Sequence, residues 1–273
     1  MIRTLVLGLC FVFNLTSIAC ADQSFAYLPK GSEQQWRRIV KSLPNKFKAC
    51  RPYEYDTYDN TLSQKTVVRN IHCQTGISII LRGKYILVPW HVLRVKKESI
   101  ERYLRRWKVS FTNVRFGSSK EVWTLVLGSG KSIKHGAFTL LFEDVLTDSA
   151  LLHITDPLPG SDILSVPITR VSPGDSETFY LPGMAAGCEL RTHVRTGKRN
   201  YIEVDNYIVR GMYFGANISV EQGDSGVPLF VYRNKKFYLV GMALGKKWHI
   251  SWYGDVYNIG RKIKGQIGTS ILR

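Results

Sequence analysis

The sequence predicts an all-β protein whose strands fall into two halves. Runs rich in β-branched and aromatic residues, such as "GISIILRGKYILVPWHVL" and "GVPLFVYRNKKFYLVGMALG", recur along the chain and are broken by turn-forming residues. Between the two sets lies "TDPLPGSDILSVPITRVSPGDSE", whose Pro, Gly, Ser and Asp content is typical of a connector. The 273 residues suit one large all-β domain or two half-domains, and two β-barrels are the form that the pattern indicates.

The N-terminus, "MIRTLVLGLCFVFNLTSIACADQ", has the plan of a secretory signal peptide. Arg3 gives it a positive start, an apolar run follows, and small residues precede a cleavage point before Asp22. The alternative is a membrane anchor, but the run is shorter than the roughly 20 residues of a spanning helix. Cys20 also permits a lipoprotein anchor, although Ser17 stands where such motifs usually carry an aliphatic residue. We therefore expect residues 1–21 to be cleaved from a secreted or periplasmic protein, with no later segment that spans a membrane.

An N-terminal arm is predicted to follow, with a helix and none of the chemistry described below. In "SEQQWRRIVKSL", Ser32 and Gln35 form a capping-box pattern, and four apolar residues follow at helical spacing. We expect the helix to pack on the domain, and a removable pro-segment is the alternative. The predicted boundaries are 1–21 for the signal peptide, 22–62 for the arm, 63–155 for the first barrel, 156–175 for the inter-barrel linker and 176–273 for the second barrel.

A short helix is predicted inside the first half, in "KKESIERYLRRWK". Ile100, Tyr103, Leu104 and Trp107 lie at positions i, i+3, i+4 and i+7, which places them on one apolar stripe. Most of the other residues in the segment are Lys, Arg or Glu, so the outer face of this helix is expected to be basic.

The net charge of +17 predicts attraction to anionic partners. Nucleic acid, acidic lipid headgroups, acidic glycans and acidic proteins all fit this description. The basic residues are spread along the chain, so the alternative explanation is that Lys and Arg protect solvated strand edges from pairing.

Three cysteines follow the predicted signal peptide: Cys50, Cys73 and Cys188. An odd number allows at most one internal disulfide, and export permits it. We predict the pair Cys50–Cys73, which would pin the arm to the first strands; three free thiols are the alternative. The chain has no Cys-x-x-Cys motif and its histidines lack metal-ligand spacing, so neither a metal site nor a cofactor is expected.

The stretch "GDSGVPLF" suggests a nucleophile at Ser225, because Gly-Asp-Ser-Gly precedes an apolar strand. A serine hydroxyl needs a base within hydrogen-bond reach, and the base needs an orienting carboxylate. His91 ends the apolar run "YILVPWHVL", and Asp148 directly precedes "SALLHI". Asp144 and His153 compete for these two roles, but Asp144 lies farther from the strand and His153 falls inside it.

Three motifs, "VPWHVL", "DSALL" and "GDSGVPLF", resemble those of the chymotrypsin-like serine peptidases, in the same order along the chain. The resemblance covers roughly residues 66 to 262. It implies two six-stranded antiparallel β-barrels with the active site between them. Pro89 and Trp90 replace the small residues usual before the histidine, and the flanking cysteines and the Ile-Val-Gly-Gly activation sequence are missing. The chain therefore looks closer to bacterial or viral members than to animal digestive ones.

The resemblance implies a serine endopeptidase that works through an acyl-enzyme on a protein or peptide substrate. Ser225 would be the nucleophile, His91 the general base and then acid, and Asp148 the orienting carboxylate. The backbone N–H groups of Gly223 and Ser225 would form the oxyanion hole.

The resemblance also implies a specificity pocket in the second half. Its floor lies six residues before the nucleophile, at Ser219, and its wall runs along Ala243, Leu244 and Gly245. No charged residue stands at these positions, so a basic or acidic P1 side chain would enter without a partner, at high cost. We expect a P1 residue that is apolar or small.

Two alternatives remain at this stage. A pseudoenzyme could keep the peptidase fold and bind anionic glycans, lipids or nucleic acid through its basic surface. An esterase could use the same three residues, but the α/β-hydrolase type would need Gly-x-Ser-x-Gly between a strand and a helix. The sequence gives no indication of the oligomeric state.

Overall fold

The structure is a computed structural model, and it describes most of the chain after the predicted signal peptide. The predicted signal peptide, Cys188 and half of the predicted linker lie outside the described residues. The described residues are 27–43, 46–59, 64–117, 120–127, 130–156, 158, 164, 166–169, 173–183, 194–200, 212–221, 223–247, 250–268 and 271.

The first half consists of two antiparallel sheets. In the five-stranded sheet the order is β2-β1-β6-β7, with β5 also paired to β1, and in the four-stranded sheet it is β3-β4-β9-β8. The strands are β1 (Lys46–Asp59), β2 (Gln64–Ile77), β3 (Ile79–Leu81), β4 (Tyr85–Val88), β5 (Thr112–Phe116), β6 (Val122–Val126), β7 (Ser132–Lys134), β8 (Phe138–Asp144) and β9 (Ser149–Ile154).

The second half forms a closed barrel of antiparallel strands in the order β10-β11-β12-β15-β14-β13. Its tightest hairpin turns at Asn234 and Lys235, as the sequence predicts, and both have positive φ (49° and 59°), which a two-residue type I′ turn requires. The strands are β10 (Thr178–Pro182), β11 (Val194–Asn200), β12 (Tyr213–Ala216), β13 (Pro228–Arg233), β14 (Lys236–Lys247) and β15 (Ile250–Asp255).

The described strands thus close one six-stranded barrel, where the sequence predicted two. The fold is mostly β with few helices, so the predicted class holds. The first half differs because its strands divide between two sheets that share no ladder among the described residues.

The predicted arm is not a separate unit, and its boundary at residue 62 is wrong. Strand β1 lies in the middle of the five-stranded sheet, where it pairs with β2, β5 and β6. Phe47, Ala49, Tyr53 and Tyr55 alternate with more polar residues and are buried, which is the period-two pattern of a half-buried strand. The many charges between these residues hid that pattern in the sequence.

Strands β1 and β2 form a long hairpin that carries a disulfide. Cys50 lies directly opposite Cys73 in the ladder, with their Cα atoms 4.1 Å apart, and the two sulfurs are bonded. The predicted pair is therefore the one that the structure contains, and it crosslinks the hairpin within the sheet.

Among the described residues four α-helices accompany the sheets, and the first packs against the closed barrel. In α1, the buried Trp36 contacts the rings of Tyr180, Phe230 and Phe237, with centroids 6.4, 5.7 and 5.1 Å away. The helices are α1 (Glu33–Lys41), α2 (Trp90–Leu93), α3 (Lys97–Arg106) and α4 (Val256–Ile267).

Helix α3 is the predicted inserted helix, and α4 was not predicted. Only Ile100 and Leu104 of the predicted apolar stripe are buried, because Tyr103 and Trp107 face solvent. For α4, the sequence suggested strand through "SWYGDVYNIG". The strand ends at Asp255 instead, whose carboxylate accepts a hydrogen bond from the N–H of Asn258 and caps the helix.

One hydrophobic core joins the two halves. It combines residues of α1, β3, β4 and β9 with residues of the closed barrel and α4, while each half also has a core of its own. The described parts of the predicted linker also bind both halves: Leu164 N–H donates to the Ile80 carbonyl, and Thr169 N–H donates to that of Leu239 (3.2 and 3.1 Å). Among the described residues, no helix is both long and apolar enough to cross a membrane.

Candidate active site

His91, Asp148 and Ser225 meet at the boundary between the halves. His91 Nδ1 lies 2.6 Å from Asp148 Oδ2, and His91 Nε2 lies 2.9 Å from Ser225 Oγ. Because a carboxylate can only accept, Nδ1 carries the proton that it donates to Asp148. Nε2 is then left as the acceptor for the serine hydroxyl. The three residues predicted from separate motifs therefore form one hydrogen-bonded chain.

The pairing of β4 with β9 brings His91 and Asp148 together. Val88, the last residue of β4, lies opposite Ala150 near the start of β9. The strands are antiparallel, so the residues that follow β4 meet those that precede β9. The N–H of Trp90 donates to the Asp148 carbonyl (3.1 Å), and the N–H of His91 donates to Asp148 Oδ1 (2.8 Å). Asp148 thus holds both the backbone and the ring of His91.

Asp148 adopts a left-handed conformation, with φ of 44°. Asp tolerates this region better than most residues with a side chain. From the closed barrel, the Tyr213 hydroxyl donates to the Leu146 carbonyl in the same turn. Burial raises the pKa of Tyr213 well above its usual value, and the nearby carboxylates of Asp148 and Asp144 raise it further. Tyr213 therefore stays protonated and keeps this hydrogen bond.

Ser225 sits in a turn that is pressed against the first half. The N–H of Ile77 donates to the Ser225 carbonyl (2.7 Å), and the N–H of Gly226 donates to the Ala243 carbonyl (2.7 Å). Gly226 has φ of 92°, and a Cβ there would lie 1.7 Å from the Ile77 oxygen. Across the contact, a Cβ on Gly76 would lie 2.7 Å from the Ser225 oxygen. Two glycines thus allow the backbones to touch, and sequence reasoning singled out neither.

The predicted oxyanion donors are available at this turn. Gly223 has φ of 101°, a conformation that suits glycine. Within the described part of the chain, no acceptor binds the backbone N–H of Gly223 or of Ser225. These two N–H groups therefore have no partner among the described residues.

Arg195 on β11, which sequence reasoning missed, binds residues on the N-terminal side of Ser225. Its Nη2 atom lies 2.8 Å from Asp224 Oδ2, and its Nη1 atom donates to the Ser219 carbonyl (2.6 Å). Asp224 Oδ2 also accepts from the N–H of Glu221 (2.8 Å). The two charged side chains are 17% and 4% exposed, so this is a mostly buried ion pair. No local motif marks it, because β11 brings Arg195 in from a distant part of the sequence.

A second charged network fixes the helix that carries His91. Arg94 Nε and Nη2 each lie 2.8 Å from a carboxylate oxygen of Glu143 on β8. The Trp90 indole N–H donates to the same carboxylate (3.2 Å). Arg94 also reaches the buried Glu121, which accepts from the N–H of Val95 (3.2 and 2.6 Å). We call this group, Trp90, Arg94, Val95, Glu121 and Glu143, the α2 clamp.

Trp90 has a direct part in the α2 clamp, since its indole N–H donates to Glu143. The hydrogen bonds from Arg94 hold the pKa of Glu143 below its usual value. The carboxylate is therefore ionised at neutral pH, when the clamp needs it.

The competing residues have other partners. Asp144 accepts from the Thr147 hydroxyl (2.6 Å) and pairs with Lys262 of α4. His153 lies on β9 beside the ring of Tyr85, with centroids 5.6 Å apart. Neither reaches Ser225, so the motif-based choice of His91 and Asp148 agrees with the contacts.

The predicted pocket residues have mixed surroundings. Ser219 is exposed, Ala243 lies beside the Ser225 turn, and a Cβ on Gly245 would lie 2.7 Å from the Trp252 ring. Leu244 belongs instead to the core shared by the two halves, so its side chain does not form the predicted wall. The reason is a register shift between Ala243 and Gly245 in the β14–β15 ladder.

Among the described residues, no cluster of His, Cys, Asp and Glu could hold a metal ion.

Comparison with known proteins gives a similar backbone but no sequence relative. No protein-family model matches the chain, and no curated protein matches it. A similar chain path occurs in the crystal structure of the Rv3671c protease from M. tuberculosis in its active form. The superposition has a TM-score of 0.49 at 13% sequence identity, and it covers 89% of this chain and 88% of the protease. The chemistry of the site therefore rests on its own geometry.

Proposed function

We propose that the protein is an exported serine endopeptidase of the chymotrypsin-like type. The observation that carries the proposal is the chain of contacts from Asp148 Oδ2 to His91 Nδ1 (2.6 Å) and from His91 Nε2 to Ser225 Oγ (2.9 Å). A serine placed this way loses its proton to the imidazole as it attacks, and the carboxylate stabilises the imidazolium that forms.

The proposed reaction has two stages. Ser225 Oγ attacks the peptide carbonyl while His91 Nε2 takes the hydroxyl proton, and the N–H groups of Gly223 and Ser225 bind the oxyanion. His91 then gives that proton to the leaving amine, which leaves an acyl-enzyme. In the second stage His91 deprotonates a water that attacks the ester, and the proton returns to Ser225 as the acid product departs.

The ion pair between Arg195 and Asp224 supports an enzyme that needs no freed N-terminal amine. A cation from within the chain already binds Asp224, whose carboxylate precedes the nucleophile. The turn that presents the oxyanion donors is therefore held in the uncut chain, in agreement with the missing activation sequence. We propose that activity does not require cleavage next to an activation motif.

We further propose a P1 residue that is apolar or small. Ser219 offers no charge, and the cation next to its carbonyl, Arg195, is matched by Asp224. A charged P1 side chain would therefore lose water without gaining a free counterion. Ala243 and Gly245 remain the proposed wall residues.

Export is supported by the disulfide between Cys50 and Cys73, because such bonds persist mainly in oxidising compartments.

The test compares the full chain with Ser225→Ala, first with a fluorophosphonate probe and then with a peptide library. We expect the parent protein to be labelled and to cleave peptides after neutral residues. The variant should be unlabelled and should lose on the order of 10⁶ in kcat, since triad members act as a unit. The fold of the variant is checked by its thermal unfolding.

Each negative outcome has its own meaning. A parent protein that the probe does not label would indicate a pseudoenzyme. Labelling without peptide cleavage, but with ester hydrolysis, would indicate an esterase. Cleavage mainly after Arg, Lys, Asp or Glu would contradict the neutral pocket and leave the three catalytic assignments intact.

A further inference from the structure

Two large aromatic side chains stand in solvent at the end of α3. Trp107 is 66% exposed and Tyr103 is 44% exposed, although both belong to the predicted apolar stripe. Ile100 and Leu104 are buried and already fix the helix to the first half. Much of both rings is therefore left in solvent, and exposed aromatic groups of this size are typical of interaction sites.

Uncompensated positive charge surrounds these rings. The segment 96–108 contains six Lys or Arg residues and two Glu residues. One of the two, Glu101, lies near Arg105 (3.4 Å) and Lys97 (3.9 Å). In the part of the chain that the structure describes, no carboxylate lies within salt-bridge distance of Arg102, Arg106 or Lys108.

The aromatic and basic side chains form two neighbouring rows. Tyr103 and Trp107 are four positions apart, as are Arg102 and Arg106, and such pairs lie on the same side of a helix. Adjacent residues in a helix are separated by about 100°, so the two rows lie side by side. We call the surface made by Arg102, Tyr103, Arg106, Trp107 and Lys108 the α3 face.

We propose that the α3 face docks the protein on an anionic lipid membrane. Trp and Tyr favour the interface of a bilayer, where the ring enters the apolar boundary and its polar end stays wet. Arg and Lys lay their methylenes along the same boundary and direct their charges to phosphate groups. The α3 face presents both kinds of side chain on a helix that is already rigid.

The ring geometry favours lipid over single-stranded nucleic acid. Nucleic-acid binders offer flat aromatic faces on which bases stack. Tyr103 instead has two inclined neighbours, the His72 ring 5.3 Å away at 62° and the Trp107 ring 6.4 Å away at 59°. Tilted rings packed together give no open platform, but they can insert as one wedge into an interface.

The α3 face is also coupled to the helix that carries His91. With the Gln74 amide oriented to satisfy its neighbours, its nitrogen donates to the carbonyls of His91 and Arg94 (2.6 and 3.1 Å), and its oxygen accepts from the Ser99 hydroxyl of α3 (2.9 Å). Gln74 therefore links α2 to α3. Docking through the α3 face would hold the candidate active site close to the membrane surface, where membrane-attached polypeptides lie.

The experiment measures binding of the full chain to two kinds of vesicle. One contains phosphatidylcholine alone, and in the other about one lipid in three is the anionic phosphatidylglycerol. All proteins carry Ser225→Ala to prevent self-cleavage, so the result does not depend on the proposed function. We expect binding only to the anionic vesicles. Arg102→Gln with Arg106→Gln should lower the partition coefficient by about 25-fold, at about fivefold for each cation. Trp107→Ala should lower it by about tenfold at unchanged charge.

The matched control replaces two exposed cations elsewhere, Lys236→Gln with Lys264→Gln, and should bind like the parent. Brominated phosphatidylcholine in the anionic vesicles should quench part of the tryptophan fluorescence of the parent but less that of Trp107→Phe. The proposal is overturned if no protein binds, or if the control loses as much binding as the Arg102 and Arg106 pair. It is also overturned if Trp107→Ala binds normally, or if a single-stranded oligonucleotide binds more tightly than the vesicles and depends on Trp107.

Discussion

Gly226 stands at a position that no other residue can occupy without moving the backbone. Its φ is 92°, and an added Cβ would meet the Ile77 carbonyl oxygen at 1.7 Å. Both the conformation and the space are therefore restricted. The absence of a side chain at Gly226 lets the turn that carries Ser225 approach the first half.

We expect Gly226→Ala to destabilise the protein by about 3 kcal/mol or more, because left-handed strain and overlap add. Fluorophosphonate labelling of the folded fraction should also fall, since the Ser225 turn must shift. Gly265→Ala is the control. It lies in α4 with nothing near its Cβ and should stabilise the helix by about 0.5–1 kcal/mol. Urea unfolding measures the free energy of unfolding of both variants. Equal changes in that free energy for Gly226→Ala and Gly265→Ala would contradict the role of Gly226.

The ion pair between Arg195 and Asp224 makes a second prediction for single residues. Arg195→Met leaves a buried carboxylate unpaired, which should cost about 3 kcal/mol of stability. It should also lower kcat by at least about tenfold, because the oxyanion donors lose their support. Arg69→Met removes a pair whose arginine is 82% exposed, and should cost about 0–1 kcal/mol. A normal kcat for Arg195→Met in the folded state would contradict the positioning role.

At the scale of elements, α2 is held on the β8–β9 hairpin by two separate groups of contacts. One is the contact of His91 with Asp148, and the other is the α2 clamp, in which Arg94 binds Glu143. Both partners lie on one hairpin, so α2 and the hairpin keep the histidine and the carboxylate in register.

Glu143→Gln should weaken the α2 clamp and lower kcat more than KM, because it moves His91 rather than the substrate. Its effect on stability depends on pH. The folded pKa of Glu143 is lowered, so the unfolded chain binds more protons as pH falls. The stabilisation is present above the unfolded pKa of about 4.3 and is lost as pH falls through the lower folded value.

Urea unfolding at pH 7 and pH 3 tests this sign. The difference in unfolding free energy between the parent and Glu143→Gln should be larger at pH 7 than at pH 3. Glu98→Gln, on the exposed side of α3, is the control and should show no such change. A difference that grows toward acid would show that the Glu143 carboxylate does not stabilise the fold.

Local patterns predicted some elements and missed others for clear reasons. The hairpin turn at Asn234, the inserted helix α3 and the motifs of His91, Asp148 and Ser225 each lie in a few neighbouring residues, so the sequence could reveal them. Strand β1 was missed because its inward residues alternate with charges that face solvent. The contacts of Arg195 with Asp224 depend on strands far apart in the sequence, and no single chain segment contains that information.

At the scale of the whole molecule, the predicted arm joins the two halves. Helix α1 places Trp36 among aromatic rings of the closed barrel, while β1 occupies the middle of the first-half sheet. The arm was expected to be separable from the chemistry. The contacts show instead that its two elements belong to different halves.

Deletion of residues 22–62 should therefore prevent folding, because it removes β1, the strand with which β2, β5 and β6 all pair. Deletion of residues 22–43 keeps β1 and should lower the unfolding temperature, while Ser225 still reacts with the probe below that temperature. Trp36→Ala is the matched point change and should cost about 3–5 kcal/mol. A soluble, cooperatively folding 22–62 deletion would contradict the assignment of β1 to the core sheet.

The hydrogen bond from the Ile77 N–H to the Ser225 carbonyl (2.7 Å) would make the reactivity of the proposed nucleophile a measure of contact between the halves. The turn of Ser225 belongs to one half, and the group that fixes it belongs to the other. A partial opening that parted the halves would switch off acylation before either sheet melted. In mild denaturant, Ser225 would then lose its reactivity toward the fluorophosphonate probe before the strands unfold. The protein would not react with substrates whenever its halves were apart.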